Sequence, residues 1–298
     1  MERTNNVFIC ITVFNRIDYT LKCLESIFLQ NYPNVEIILC DDGSTDNTSE
    51  IVKTKYPAVT IVKGTGDLWW TGGTNMCVEE ALKKAEGHDF IFTLNNDTEL
   101  DQDVILNLVN FSISKDYSIV GSVNLFYENR SLIEPSAFKA KGTFPFSLYH
   151  DFVNRWADKI EDVNCDFIEV DSLSGKGVLI PVFVFKTTGL YNFEMLPHYH
   201  ADTEFIRRAK NLLNIKAYIY YKTKIFSHQK LSGIGQINTE PRFVEFIKSF
   251  FTIKSANHAI TLWNRAKLIY QPNFRTYFVF NIFMIIFGHI KRQILRAS

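Results

Sequence analysis

The chain has 298 residues, 46% of them hydrophobic and 21% charged, which supplies a full core and excludes disorder. Formal net charge is zero, yet nothing acidic follows Glu245. The 53 residues after it carry Lys248, Lys254, Arg265, Lys267, Arg275, Lys291, Arg292 and Arg296, giving +8 there and −8 over the rest. A basic, aromatic tail on an otherwise acidic chain suits an anionic surface.

Val7–Phe14 reads as a first strand, not a signal peptide, since Asn15 and Arg16 follow it and no cleavage pattern does. Tyr19–Leu29 has helical spacing through Leu21, Leu24, Ile27 and Phe28. Val35–Cys40 is a second strand ended by Asp41-Asp42-Gly43-Ser44. Thr45 or Asp46 is expected to cap the next helix. Val59–Val62 is a third strand, Thr74–Ala85 a helix, and Phe90–Leu94 a fourth strand ended by Asn95-Asn96-Asp97. Asp101 is placed to cap a helix to Ser114, and Ser118–Leu125 is a fifth strand. The alternation predicts an α/β fold with a mostly parallel sheet, whose ligands bind outside the carboxyl ends of its strands. Asn15-Arg16, Asp41-Asp42 and Asn95-Asn96-Asp97 all fall there.

Phe126–Asn164 reads as a long aromatic-rich loop. Phe167–Ser172 and Val178–Ile180 are expected strands around Ser174-Gly175-Lys176-Gly177, followed by a helix at Thr203–Leu213 and a strand at Ala217–Tyr221. From about Pro241 the pattern is helical. The greasiest stretch, Tyr277–Ile290, is short for a membrane span. The five cysteines form no C-x-x-C pair. Cys10 and Cys40 lie in strand-like runs as core side chains, and a reducing compartment is expected.

No Walker A motif is present, and no G-x-G-x-x-G follows the first strand, which argues against nucleoside triphosphatases and nicotinamide dehydrogenases. A strand-end carboxylate such as Asp42 can accept the N3–H of uracil or thymine. Asp97 can hold Mg²⁺ or Mn²⁺ against a diphosphate, because hard cations take oxygen ligands. Each motif also has a plainer reading: polar turns at Asp41-Asp42 and Asn95-Asn96-Asp97, a helix cap at Asp202, a solvated turn lysine at Lys176.

Taken together, Thr12-Val13-Phe14-Asn15-Arg16, Asp41 to Asp46, Gly66 to Asn75, Asn95-Asn96-Asp97, Ser174 to Gly177, Ala201 to Arg208 and His228 resemble GT-A glycosyltransferases of family 2, in the bacterial rhamnosyltransferase-like branch. The resemblance covers roughly residues 6–235. It implies a Rossmann-like GT-A domain over 1–235 and a basic helical appendage over 236–298. Thr12, Phe14, Asn15, Arg16, Asp41, Asp42 and Asn96 would then surround the donor nucleotide. Gly72 and Gly73 would admit the donor to the backbone, with Asn75 beside them. Asp97, with His228, would serve the metal, and Asp202 would be the catalytic base. Lys176 and Glu204 are further candidates. Asn96 and Ala201 depart from the family, each standing where an acid is usual.

The implied activity is inverting, metal-dependent transfer from a UDP- or dTDP-sugar to a glycan or lipid-linked glycan in bacterial surface polysaccharide synthesis. The expected location is cytoplasmic, peripheral on the inner face of the membrane through the tail, which alternatively pairs two subunits. No nucleic-acid partner is expected. The competing readings are a sugar-1-phosphate nucleotidyltransferase and a non-catalytic membrane-associated scaffold. Against the first, no glycine-rich signature follows the opening strand.

Overall fold

The computed structural model describes residues 5–139, 151–152, 159–228 and 243–297. The chain begins β1 (Val7–Val13), α1 (Ile17–Phe28), β2 (Val35–Asp41), α2 (Thr48–Lys55), β3 (Thr60–Lys63), α3 (Trp69–Leu82), β4 (Phe90–Asn95), β5 (Thr98–Leu100), α4 (Val104–Ser114) and β6 (Ile119–Phe126). It continues with β7 (Asn129–Glu134), β8 (Ala137–Lys139), β9 (Asp151–Phe152), β10 (Phe167–Val170), β11 (Ser172–Leu173), β12 (Val178–Pro181), α5 (Val182–Thr188), α6 (Ala201–Leu213) and β13 (Ala217–Ser227). Helices α7 (Phe243–Ser249), α8 (Ala259–Ile269) and α9 (Phe274–Ala297) close it.

Ten strands form one sheet with the main path β10-β13-β6-β12-β4-β1-β2-β3; β5 and β7 pair at its side. β1 runs parallel to both β2 and β4, and β2 parallel to β3, so these four strands end at one edge. β12 enters antiparallel between β4 and β6. β11-β8-β9 make a second small sheet.

The period-two alternation of β1 explains its central position. Val7, Ile9, Ile11 and Val13 face Leu24 of α1 and Val104 and Leu108 of α4. Phe8 and Cys10 face Cys77, Val78 and Ala81 of α3. A strand apolar on both faces must be covered by helices on both sides, as in a parallel sheet. Cys10, Cys23, Cys40 and Cys77 are free and buried, and Cys165 is free and exposed.

Several elements differ from the sequence expectation. Helix α3 starts at Trp69 rather than Thr74, so Gly72 and Gly73 are helical. The run Phe167–Ser172 divides between β10 and β11, which belong to different sheets. β13 continues past Tyr221 to Ser227 through a register shift between Tyr220 and Lys224. The region expected as a loop after Phe126 contains β7, β8 and β9. The caps also differ: Asn47 precedes α2 and Asp103 precedes α4, both left-handed and without a side-chain cap bond. The expected domain boundary near 235 and the helical onset at Pro241 lie outside the described residues.

The appendage has its own small core. Tyr270 stacks on Tyr277 with ring centroids 3.6 Å apart, and Trp263 meets Phe274 and Phe278 at 5.1 and 5.2 Å. Phe246 of α7 stacks on His289 of α9 at 3.9 Å. Among the described residues, no helix is long and apolar enough to cross a membrane.

Candidate active site

Because β2, β1 and β4 are parallel neighbours, Asp42, Asn15-Arg16 and Asn96-Asp97 meet at one edge of the sheet. Asp42 is nearly inaccessible. Its Oδ1 accepts the Gly66 N–H at 2.7 Å, and its Oδ2 accepts those of Leu68 and Trp69 at 2.9 and 3.1 Å. Gly66 has φ +97°, a conformation that suits glycine. A carboxylate offers about four lone-pair sites, so this arrangement leaves one. Asp42 thus closes the segment between β3 and α3 onto the sheet edge.

Asp41 points away from that edge. It accepts the Ser44 N–H at 2.8 Å and the Lys63 ammonium at 3.1 Å, and also bonds Ser49. Burial alone would raise its pKa, but the bonds from Ser49, Ser44 and Lys63 prevail and hold it below the usual carboxylate value. Asn15 joins the first two strand ends: its Oδ1 accepts the Thr45 N–H at 2.8 Å, and its own N–H donates to Ser44 Oγ at 2.8 Å. Phe14 is 57% exposed at the same rim, an open ring face for a base.

Across the edge, Arg16 Nη1 lies 3.5 Å from Asp97 Oδ2. Asn96 turns to α1 and donates to Thr20 Oγ1 at 3.0 Å. The His228 N–H donates to the Asp97 carbonyl at 3.1 Å, which brings the end of β13 beside the end of β4. The His228 ring stacks on Tyr127 at 4.1 Å, and its Nε2 lies 2.9 Å from Glu99 Oε1. An imidazole fixed by a carboxylate through one nitrogen, with the other left over, is the arrangement of a metal-binding histidine. Among the described residues, no three or more His, Cys, Asp or Glu side chains are arranged to hold an ion by themselves. The Asp97 carboxylate is the oxygen ligand that Mg²⁺ or Mn²⁺ takes, and substrate phosphate oxygens would complete the shell.

Gly72 and Gly73 are buried inside α3, where a side chain has no room. A Cβ on Gly73 would lie 2.3 Å from Thr12 Cγ2, and one on Gly72 would lie 2.9 Å from Phe193 Cε2. These glycines let α3 settle on β1, where Thr12 Oγ1 lies 3.2 Å from Thr74 Oγ1. Asn75 clamps Tyr191 from both sides, donating to its carbonyl at 2.9 Å and accepting its N–H at 3.0 Å.

Asp202 lies in the first turn of α6. Its Oδ2 accepts the Gly175 N–H at 2.8 Å and its Oδ1 the Thr203 N–H at 2.7 Å. Burial pushes its pKa up, and the two amides, the Thr203 hydroxyl and the Arg265 charge offset this only in part. A crevice beside it, lined by Leu173, Val178, Ile180, Tyr191 and Ile206, is too narrow to admit water. Trp70 covers Gly175 so closely that a Cβ there would lie 2.2 Å from the indole, and the indole N–H donates to Asn95 Oδ1 at 3.1 Å. The indole therefore links the Asp202 side to the end of β4.

Lys176 and Glu204 are engaged elsewhere. Lys176 Nζ is 2.6 Å from Glu134 Oε2, both nearly buried. Glu204 binds Arg208 through both oxygens, at 2.8 and 3.2 Å. Sequence reasoning did not single out Glu99, although it stands two residues after Asp97. It also missed His198, which packs on Trp69 at 5.3 Å and which burial pushes down to about 4.

Residues 8–169, more than half of the chain, match the profile described as "Glycosyl transferase family 2", and the chain belongs to that family. It is similar to an E. coli protein named UDP-Glc:alpha-D-GlcNAc-diphosphoundecaprenol beta-1,3-glucosyltransferase WfaP, at 32% identity over 128 residues, covering 39% of this chain and 49% of that one. It is also similar to the hyaluronan synthase of Pasteurella multocida, at 30% identity over 128 residues, 42% of this chain and 13% of the relative. The chain thus spans half or less of the length of these relatives. Its fold is that of GT-A glycosyltransferases. It is similar to the crystal structures of S. aureus TarS 1-349, with TM-score 0.56, 13% identity and coverage of 96% of this chain and 91% of that one, and of GalNAc-T7 with UDP, GalNAc and Mn²⁺, with TM-score 0.64, 12% identity and coverage of 93% and 50%.

Replacing Lys176 with Met should cost about 1.5–3 kcal/mol in denaturant unfolding, because the buried Glu134 loses this charge-assisted bond. UDP affinity should stay within about twofold, since the lysine is engaged with Glu134. A large loss of UDP affinity with unchanged stability would instead make Lys176 a phosphate ligand.

Proposed function

We propose that the chain transfers a sugar from a UDP- or dTDP-sugar to an acceptor hydroxyl with inversion at the anomeric carbon. The observation that carries this reading is one sheet edge shared by Asp42, Arg16 and Asp97, with a desolvated Asp202 joined to it through Trp70. Phe14 and the remaining lone pair of Asp42 would take the base, with Thr12 and Asn15 shaping that end and Asn96 supporting it. Asp41, Gly72, Gly73 and Asn75 would serve the donor indirectly, by fixing the loops and helix around it.

Arg16 would contact the diphosphate. Asp97 and His228 would hold Mg²⁺ or Mn²⁺, which when bound supplies positive charge for the leaving diphosphate. The acceptor oxygen attacks the anomeric carbon from the face opposite the diphosphate, the carbon–oxygen bond to phosphate breaks, and Asp202 takes the acceptor proton. A pKa raised by burial suits Asp202 to that task.

A lipid-linked glycan acceptor, within bacterial surface polysaccharide synthesis, is supported by the acceptor in the WfaP name. The tail supports a place on the inner face of the membrane. On α9, Val279, Phe283, Phe287, Ile290 and Ile294 recur three or four residues apart and are all exposed. Lys291 and Arg292 are exposed near the end of this stripe. Such a helix lies in a lipid interface, and each basic residue near anionic headgroups adds roughly 1 kcal/mol.

Asp202→Asn keeps the shape of the carboxylate but cannot take a proton. Turnover should fall by about 10²–10⁴-fold while UDP binding is retained. In the native protein, kcat should decline as pH falls through the Asp202 pKa, on a limb above the ordinary carboxylate value of 3.8. Near-native turnover in the variant would reduce Asp202 to a helix-start residue. On anionic liposomes the full chain should float at low salt, and neutral liposomes should leave it behind. A chain that stays in solution with both, and runs as a dimer, would assign the α9 stripe to a second subunit.

A further inference from the structure

Met195–His200, the segment leading into α6 and Asp202, is gripped from two sides. From α3, Thr71 donates its hydroxyl to the Leu196 carbonyl at 2.7 Å and its N–H to the Pro197 carbonyl at 3.1 Å. The other grip comes from the appendage. Asn264 Nδ2 donates to the Met195 carbonyl at 2.9 Å, the Tyr199 hydroxyl to the Lys254 carbonyl at 3.4 Å, and His200 Nε2 lies 3.0 Å from the Ala256 carbonyl. One turn into α6, Arg207 Nη1 donates to the Tyr270 hydroxyl at 3.2 Å. Beside Asn264 on α8, Arg265 is only 8% exposed.

We propose that the C-terminal appendage is a working wall of the active site, in which Asn264 is a positioning residue that fixes the segment before Asp202. This rests on Asp202 being the base. A segment held by α3 on one side and α8 on the other cannot shift without breaking bonds to one of them, so the start of α6 keeps one position. A base must stay within hydrogen-bond reach of the acceptor hydroxyl, and a misplacement of about 1 Å costs up to about 10²-fold in rate.

Gly175 and Thr203 donate to the Asp202 carboxylate, and α8 of the appendage holds the segment that leads to it. An appendage with its apolar α9 face on a membrane would therefore join the docking surface to the proton acceptor through α8.

The test uses Asn264→Ala and Tyr199→Phe in the full chain with a UDP-sugar donor. Thermal unfolding and UDP binding are measured beside kcat and donor KM. Asn264→Ala should lower kcat about 3- to 10-fold at unchanged donor KM and UDP affinity. Tyr199→Phe removes only the hydroxyl that reaches the Lys254 carbonyl, so it remains informative should Asn264→Ala fail to fold, and it should lower kcat about 2- to 3-fold at unchanged donor KM.

Native kcat in folded Asn264→Ala, or native kcat in Tyr199→Phe should Asn264→Ala fail to fold, overturns the proposal and leaves the appendage a packing element. That failure is distinct from failure of the base: if Asp202→Asn turns over normally, the reading of Asp202 falls first.

Discussion

Three backbone N–H groups converge on the Asp42 carboxylate, and the architecture of the site depends on that convergence. Buried amides need acceptors, and a charged acceptor holds them more firmly than a neutral one. With Gly66, Leu68 and Trp69 fixed, α3 starts immediately and presents Trp70 to Gly175. Gly175 in turn donates to Asp202. A carboxylate at the end of β2 is thereby connected, through one loop, one indole and one amide, to the candidate base on α6. The turn needed at Gly66, and the lack of room for a side chain on Gly73, show how little freedom the segment has.

The site divides into two electrostatic environments. At the strand ends, Asp41 is held ionised by Ser49, Ser44 and Lys63, and Asp97 lies beside Arg16. Asp202 sits instead against apolar walls with its pKa raised. Carboxylates whose surroundings push their proton affinities apart can take different parts in one reaction. Joining the two environments on rigid elements keeps the reacting atoms in register, and the paired grips on Met195–His200 extend that rigidity to the acceptor side.

Much of the first half was legible because its elements obey local rules. Apolar runs of strand length alternate with helical spacing as far as Leu125, and the polar clusters follow the strands directly. Their meeting at one edge follows from parallel topology. What escaped reading depends on contacts distant in sequence. Gly72-Gly73 looks like a turn, but Thr12 and Phe193 make it a helix interior. Lys176 between glycines looks like a phosphate ligand until Glu134, 42 positions earlier, is brought beside it. Polar Lys222 and Thr223 interrupt the pattern of β13, so the part carrying the chain to His228 is hidden by the register shift. Nothing local reveals that β12 enters antiparallel between β4 and β6, or that Asn264 returns from the tail to the Met195 carbonyl, on the segment before Asp202.

The central claim is that a single edge, formed by the ends of β1, β2 and β4, holds the donor. Amide hydrogen exchange of the full chain with and without UDP and Mn²⁺ tests it most directly, because exchange reports the opening of each backbone segment separately. The account predicts joint slowing at residues 14–17, 42–46, 66–69 and 96–98, with the exposed face of α9 unchanged. Protection confined to the appendage, or to one of these segments without the others, would contradict it.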